Sequence, residues 1–195
     1  MDRPRPRLVI MVKEPRPGRV KTRLGQDIGY VRAAWWMRHR LRTLARGVTS
    51  PGWDTILAVA PDTALNSPML PDLARIGQGP GDLGDRMGRL FRGLPPGPVL
   101  IIGADIPAIT RAHVAAGFAA LGDHPAVIGP ASDGGFWAIG LKRSAAVPAG
   151  LFAGVRWSSP HAMADTLATL PFSRVARLPV LNDVDVASDL PAVGR

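Results

Sequence analysis

Five cationic side chains fall within eleven residues near the N-terminus: Lys13, Arg16, Arg19, Lys21 and Arg23, in the stretch Lys13-Glu-Pro-Arg-Pro-Gly-Arg-Val-Lys-Thr-Arg-Leu24. Pro15 and Pro17 stiffen this stretch, and Gly18 can take positive φ or let the backbone approach a ligand closely. A di- or triphosphate presents oxygens on all sides, and guanidinium forks and ammonium groups on a stiff turn are suitable partners for it. The competing reading is a solvated basic loop, or an arginine cluster that touches nucleic acid. It is not a P-loop, because a single glycine and no Gly-Lys-Ser/Thr ending are present.

Aspartates in three segments could work with such a loop. Asp105 follows the apolar run Val99-Leu-Ile-Ile-Gly-Ala. A carboxylate there can hold Mg²⁺ or Mn²⁺, which takes one or two carboxylates and leaves other positions for phosphate oxygens; the alternative is a turn or capping aspartate. Asp133-Gly-Gly135 lies between two apolar runs. It reads as a tight hairpin turn, or as a flat backbone on which a second substrate lies close to Asp133. In an extended segment, Asp183 and Asp185 project to the same side and suit a second metal ligand. Asp189 suits the first turn of a short final helix. The four histidines (39, 113, 124 and 161) show no ligand spacing, and neither a Gly-x-Ser-x-Gly elbow nor a His-Glu-x-x-His stretch occurs. These absences argue against the common hydrolases and zinc proteases.

The elements that must position these groups alternate along the chain. Short apolar runs bounded by Gly, Pro or Asp predict strands at Leu8–Lys13, Thr55–Ala60, Val99–Gly103, Ala126–Gly129, Phe136–Leu141 and Arg174–Leu178. Helical spacing predicts helices over 27–46, Asp82–Gly93, Arg111–Leu121 with Thr110 as its cap, and Pro160–Leu170 with Ser159 as its cap. In the first helix the expected apolar stripe is Ile28, Val31, Trp35, Leu41, Leu44 and Val48. Nearly all-apolar strands alternating with helices imply a mostly parallel sheet covered on both faces, an α/β fold of three α/β/α layers. Ligands of such sheets bind beyond the carboxyl ends of the strands, where the basic loop and Asp105 fall. Phe136, Trp137 and Trp157 either line a pocket for a second substrate or belong to the core.

Composition narrows the class. At 195 residues, 46% hydrophobic and 20% charged, the chain reads as one globular domain over 1–195, with 1–6 as an arm. No cysteine is present, so disulfides, thiolate zinc sites and cysteine nucleophiles do not enter. No apolar run reaches the roughly 20 residues of a membrane helix, and no secretory signal is visible. A cytoplasmic location without membrane contact is therefore expected. The net charge of +9 is concentrated in residues 1–46, which hold 13 of the 24 basic and 3 of the 15 acidic residues. A polyanion site is one explanation, and an arginine-rich composition is the other. A non-enzymatic nucleic-acid or polyanion binder is the rival from a different class. Because the cations sit in one loop and one helix, with no aromatic platform beside them, nucleic acid is not the expected partner.

The ordered set of motifs resembles a family of GT-A-fold transferases, the radical-SAM/selenodomain-associated or arsenosugar-biosynthesis glycosyltransferases, within the nucleotide-diphospho-sugar transferase-like group. The family pattern Lys-x-Pro-x-x-Gly-x-Val-Lys-Thr-Arg-Leu is matched by Lys13 to Leu24. Gly-Asp-Leu-Gly-x-Arg-Met is matched by Gly81 to Met87, and Gly-x-Asp-x-Pro by Gly103 to Pro107. Gly-Pro-x-x-Asp-Gly-Gly is matched by Gly129 to Gly135, and Asp-x-Asp before a final Asp-Leu by Asp183 to Leu190. The wider group includes the molybdenum-cofactor and phospholactate guanylyltransferases. The resemblance implies a nucleotide held by Lys13, Arg16, Gly18, Arg19, Lys21, Arg23, Gly81 and Arg86. It also implies Mg²⁺ or Mn²⁺ on Asp105 and Asp185, with Lys21, Asp105 and Asp133 as the catalytic set. The expected reaction is glycosyl transfer from a nucleotide sugar to a small acceptor. The alternative is nucleotidyl transfer from a nucleoside triphosphate with release of pyrophosphate. A homodimer is compatible with either. Two departures stand out: Glu14 follows Lys13 where a small residue is usual, and Val186-Ala187 replaces the common Thr-Pro.

Overall fold

The computed structural model describes residues 4–184 and 186. Its elements run β1 (Arg7–Lys13), α1 (Thr22–Ile28), α2 (Tyr30–Val48), β2 (Asp54–Ala60), a 3-10 turn (Asp62–Ala64), β3 (Ala74–Gly77), α3 (Leu83–Gly93), β4 (Val99–Gly103), α4 (Arg111–Asp123), β5 (Ala126–Pro130), β6 (Phe136–Leu141), α5 (Ala162–Ala168) and β7 (Val175–Arg177). The seven strands form one sheet in the order β3-β2-β1-β4-β6-β5-β7, in which only β6 runs antiparallel to its neighbours. Ile10 of the central β1 faces Leu57 on one side and Ile102 on the other.

Why β1 is apolar throughout follows from its two covered faces. Leu8, Ile10 and Val12 point to the layer formed by Met37, Leu41, Leu44 and Val48 of α2 with Val114 and Leu121 of α4. Val9 points the other way, to Met87, Leu90 and Phe91 of α3 and to Leu151 and Phe152. This is the three-layer α/β/α arrangement, with period-2 strand faces meeting helical stripes. Each fully buried Leu or Ile contributes about 1.5–3 kcal/mol, so the sheet centre is the rigid platform from which the loops project.

The connection from β1 leads to β2 on one side, while β4 lies on the other. The strand order therefore reverses between β1 and β4, and a crevice opens at their carboxyl ends. Both the loop after β1 and the segment carrying Asp105 leave the sheet at this place.

Four local expectations are corrected. The first helix is two: α1 starts at Thr22, inside the basic stretch, and Gly29 at φ 90° ends it and opens α2. Val31 and Trp35 share α2 with Leu41, Leu44 and Val48 but lie on a different face of it, and are 71% and 69% exposed. The buried stripe of α2 is instead Ala33, Ala34, Met37, Leu41, Leu44, Ala45 and Val48. An unexpected edge strand, β3, pairs with β2; Ala-Arg-Ile-Gly is too short and too weakly apolar to announce itself. Its Arg75 is held by the carbonyls of Leu65, Ser67, Leu70 and Pro71. Finally, α5 begins at Ala162 with His161 as its cap. The Ser159 hydroxyl instead donates to the Arg156 carbonyl at 2.6 Å and accepts from the His161 amide at 3.2 Å, closing a turn before the helix. Thr110 does cap α4, paired reciprocally with His113.

Candidate active site

β1 ends at Lys13, and the Glu14 amide adds one more bond to the Ala60 carbonyl at 2.8 Å. Glu14 is buried, and its carboxylate accepts from the Arg16 guanidinium. That bond first, and a second from Ser67, hold the Glu14 carboxyl below the ordinary carboxylate range. The unusual Glu14 thus turns Arg16 back onto the loop's own base. Gly18 at φ 71° then bends the chain, leaving Lys13, Arg16, Arg19 and Arg23 exposed around the turn.

Lys21 differs from these cations. Its backbone is left-handed, at φ 45° and ψ 52°, where loop becomes α1. Val20 and Leu24 are buried on either side and fix it there. Its side chain is only 8% exposed, and its ammonium lies 2.8 Å from Asp105 Oδ2 and 3.7 Å from Asp183 Oδ2.

Asp105 reaches this point because Ala104 and Ile106 on either side of it are buried, so the carboxylate is directed to the sheet edge. Arg40 of α2 donates to the Ile106 carbonyl at 2.7 Å and holds the turn. Burial lowers the pKa of Arg40, and the negative charge of Asp105 opposes that shift. Nothing in the spacing of α2 had marked Arg40, because an arginine on a helix normally faces water.

The C-terminal segment arrives through packing. Leu178 and Leu181 donate backbone bonds to Ile128 and Pro130 of β5, and Pro179 accepts from the Trp137 indole at 2.9 Å. Val184 is buried against Leu24 and Ala33, which sets Asp183 beside Lys21. Asp185 lies outside the described residues. Among the described residues, no group of three or more His, Cys, Asp or Glu gathers at a metal-binding distance. Asp105 and Asp183 do share one cation position. Two hard oxygen donors with other positions left for phosphate fit Mg²⁺ or Mn²⁺.

The Asp133-Gly-Gly turn joins β5 to β6 at the same edge and is tied in by Ser132, whose amide donates to Asn182 Oδ1 at 3.3 Å. Asp133 is exposed, and its Oδ1 accepts from the Gly135 amide at 2.9 Å, which closes the turn. Trp137 is fully buried and belongs to the core, not to a pocket. Half-buried Phe136 and Trp157 meet edge-to-face, 6.2 Å apart, and Trp157 closes over Gly84 so tightly that no Cβ fits there.

Gly81 takes φ 95° just ahead of α3, which Asp82 and Asp85 cap reciprocally. Arg86 donates to the Gly81 carbonyl at 3.0 Å and reaches Gln78 Oε1 at 3.5 Å. Gln78, missed in the sequence, is buried at the end of β3. Its amide donates to Val12 and Ala58 at 3.1 and 2.8 Å, binding three strand ends together directly under the basic loop. A groove of about 370 Å³ lined by Asp85, Arg89, Arg92 and Gly93 lies on α3 and includes neither Lys21 nor Asp105.

With Lys21, Asp105 and Asp183 in contact at the strand-order reversal, comparison with known proteins becomes informative. A crystal structure from Desulfovibrio desulfuricans G20, provisionally named a nucleotide-diphospho-sugar transferase, is 29% identical; the match covers 93% of this chain and 83% of that one at TM-score 0.85. The 4-diphosphocytidyl-2C-methyl-D-erythritol synthase of Anaerococcus prevotii DSM 20548 shares the fold at 10% identity, with 94% and 92% covered and TM-score 0.60. So does Rv0371c of Mycobacterium tuberculosis H37Rv, in complex with manganese, at 15% identity, 96% of both chains covered and TM-score 0.58. The fold is thus that of the nucleotide-diphospho-sugar transferases. No curated protein matches the chain in sequence. Residues 43–159 match the family described as an uncharacterized protein conserved in bacteria, DUF2064, and the chain belongs to that family.

Proposed function

We propose that the chain is a metal-dependent transferase that works on the phosphates of an activated nucleotide, with glycosyl transfer from a nucleotide sugar as the leading reaction. One observation carries this reading: the Lys21 ammonium lies between Asp105 and Asp183 at the carboxyl ends of β1 and β4. A loop rich in exposed cations borders that point. The solved structures of the same fold add support, since their names speak of nucleotide-sugar and cytidylyl chemistry.

Asp105 and Asp183 would hold Mg²⁺ or Mn²⁺, with Asp185 as a further ligand by family resemblance; the ion would supply positive charge to the departing phosphate oxygens. Lys13, Arg16, Arg19 and Arg23 gather the phosphates, and Lys21 neutralises charge that builds on the leaving oxygen. Gly81 and Arg86, braced by Gln78, border the nucleoside side. The acceptor lies against the turn at Asp133, whose second carboxylate oxygen is the candidate proton acceptor. No residue forms a covalent intermediate in this scheme, so positioning and electrostatics supply the rate.

Nucleotidyl transfer is the second reading, favoured by the number of loop cations, which suits a triphosphate. Incubation with Mn²⁺, nucleotide sugars, nucleoside triphosphates and small acceptors separates the two. Released nucleoside diphosphate marks sugar transfer, and released pyrophosphate marks nucleotidyl transfer. Binding of neither substrate class with Mn²⁺, together with equal stabilisation by heparin, would replace both readings by the polyanion binder.

A further inference from the structure

Lys21 stands among the exposed loop cations as the one drawn inward. Its side chain is 8% exposed, whereas those of Asp105 and Asp183 are 36% and 34% exposed. The ammonium is therefore seated behind the carboxylates. The backbone from which it springs is pinned, because the Lys21 carbonyl accepts the Gly25 amide at 2.8 Å and Val20 and Leu24 are buried. Any displacement of the ammonium must therefore come from the four-carbon stem.

An Mg²⁺ ion binds carboxylate oxygens at about 2.0–2.1 Å. An ion shared by Asp105 Oδ2 and Asp183 Oδ2 would fall close to Nζ, which is 2.8 and 3.7 Å from those same oxygens. The two cations exclude each other there by charge and by size. The ammonium needs a different anion before the ion can enter, and the polyphosphate of the substrate is such an anion.

We infer that Lys21 is a built-in competitor of the divalent ion, so that the site accepts the metal as a metal–polyphosphate complex and not as a free ion. This rests on the metal and nucleotide reading above and specifies the form of the ligand. Metal and phosphate binding are then positively coupled, and the coupling is reciprocal. Lys21 thus positions two partners at once: it withholds the carboxylates until phosphate draws its ammonium away, and then it becomes a phosphate contact.

The test is a titration of free Mn²⁺, followed by electron paramagnetic resonance, on the wild-type protein and on Lys21→Met, which keeps the stem and removes the charge. Each is repeated with inorganic pyrophosphate, the group common to both candidate substrates. Lys21→Met should bind free Mn²⁺ about tenfold more tightly than wild type and bind Mn²⁺-pyrophosphate more weakly. Unchanged or weaker free-ion affinity in a folded Lys21→Met overturns the inference, because a simple phosphate clamp or a structural lysine behaves that way. If that variant does not fold, Lys21→Gly, which suits the left-handed backbone, is scored by the same two outcomes. Failure of the parent reading shows separately: the wild-type protein would then bind no Mn²⁺-pyrophosphate at all, and both proposals would fall.

Discussion

Asp105 and Glu14 show how differently two carboxylates act at one sheet edge. Asp105 is one-third exposed but pairs with the largely buried Lys21, so Asp105→Asn, which leaves that ammonium with one carboxylate fewer, should cost about 1–3 kcal/mol of stability. In nucleotide binding, however, it should remove most of the dependence on Mn²⁺, read as a melting-temperature shift with and without the ion. Wild-type dependence in that variant would remove Asp105 from the metal site. Glu14 is buried and bonded to Arg16 and Ser67, with its pKa lowered from 4.5. The folded protein therefore holds the ionised form more tightly than the unfolded chain does. That contribution is complete above the unfolded value and is lost as pH falls through the depressed folded one. Glu14→Gln should flatten the acid limb of a stability curve below about pH 4.5; an unchanged limb would place the acid sensitivity elsewhere.

Among the elements, the loops depend on small anchors. Gln78 ties the ends of β1, β2 and β3 together and meets Arg86. Gln78→Leu keeps the volume but strands carbonyl acceptors and should cost about 1–3 kcal/mol by urea denaturation. It should also weaken nucleotide binding, because Arg86 loses a partner. Gly134 is held at φ 85°, and a Cβ there would overlap the Pro160 carbonyl. Gly134→Ala therefore meets both backbone strain and a clash, and should destabilise by about 1–3 kcal/mol or more in the same assay. A neutral result would mean that the Asp133 turn moves freely against α5. The turn signal itself was legible in Asp-Gly-Gly. The break at Gly29 was not, because glycine is tolerated inside helices and only the packing of Leu24 and Ala33 on separate helices shows the bend.

For the molecule as a whole, a ligand that binds only the folded form raises stability by about 2.7 kcal/mol at a hundred times its dissociation constant. In a chain of this size that amounts to roughly 5–10 °C in Tm. Mn²⁺ with the right nucleotide should give such a shift, and heparin should not reproduce it without metal. No helix among the described residues is long and apolar enough to cross a membrane. The exposed Val31 and Trp35 lie on an arginine-rich helix, and the basic excess of the N-terminal quarter is shared by the first seven residues, the loop with the start of α1, and α2.

Residue types and their order were enough to read the layered α/β class, six of the seven strands and the turn after β1. Apolar periodicity, glycine and proline are local properties, and local steric and solvation preferences act on them directly. Which charges meet was settled by tertiary packing. Lys21, and not its exposed neighbours, turns inward because Val20 and Leu24 are buried beside it. Asp183 stands next to it because Val184 fills a gap between α1 and α2, and Arg40 and Gln78 brace the rim from elements that carry no motif of their own. Contacts between segments so distant in the chain exist only once the apolar core has closed, since burial selects the side-chain directions that sequence spacing leaves open.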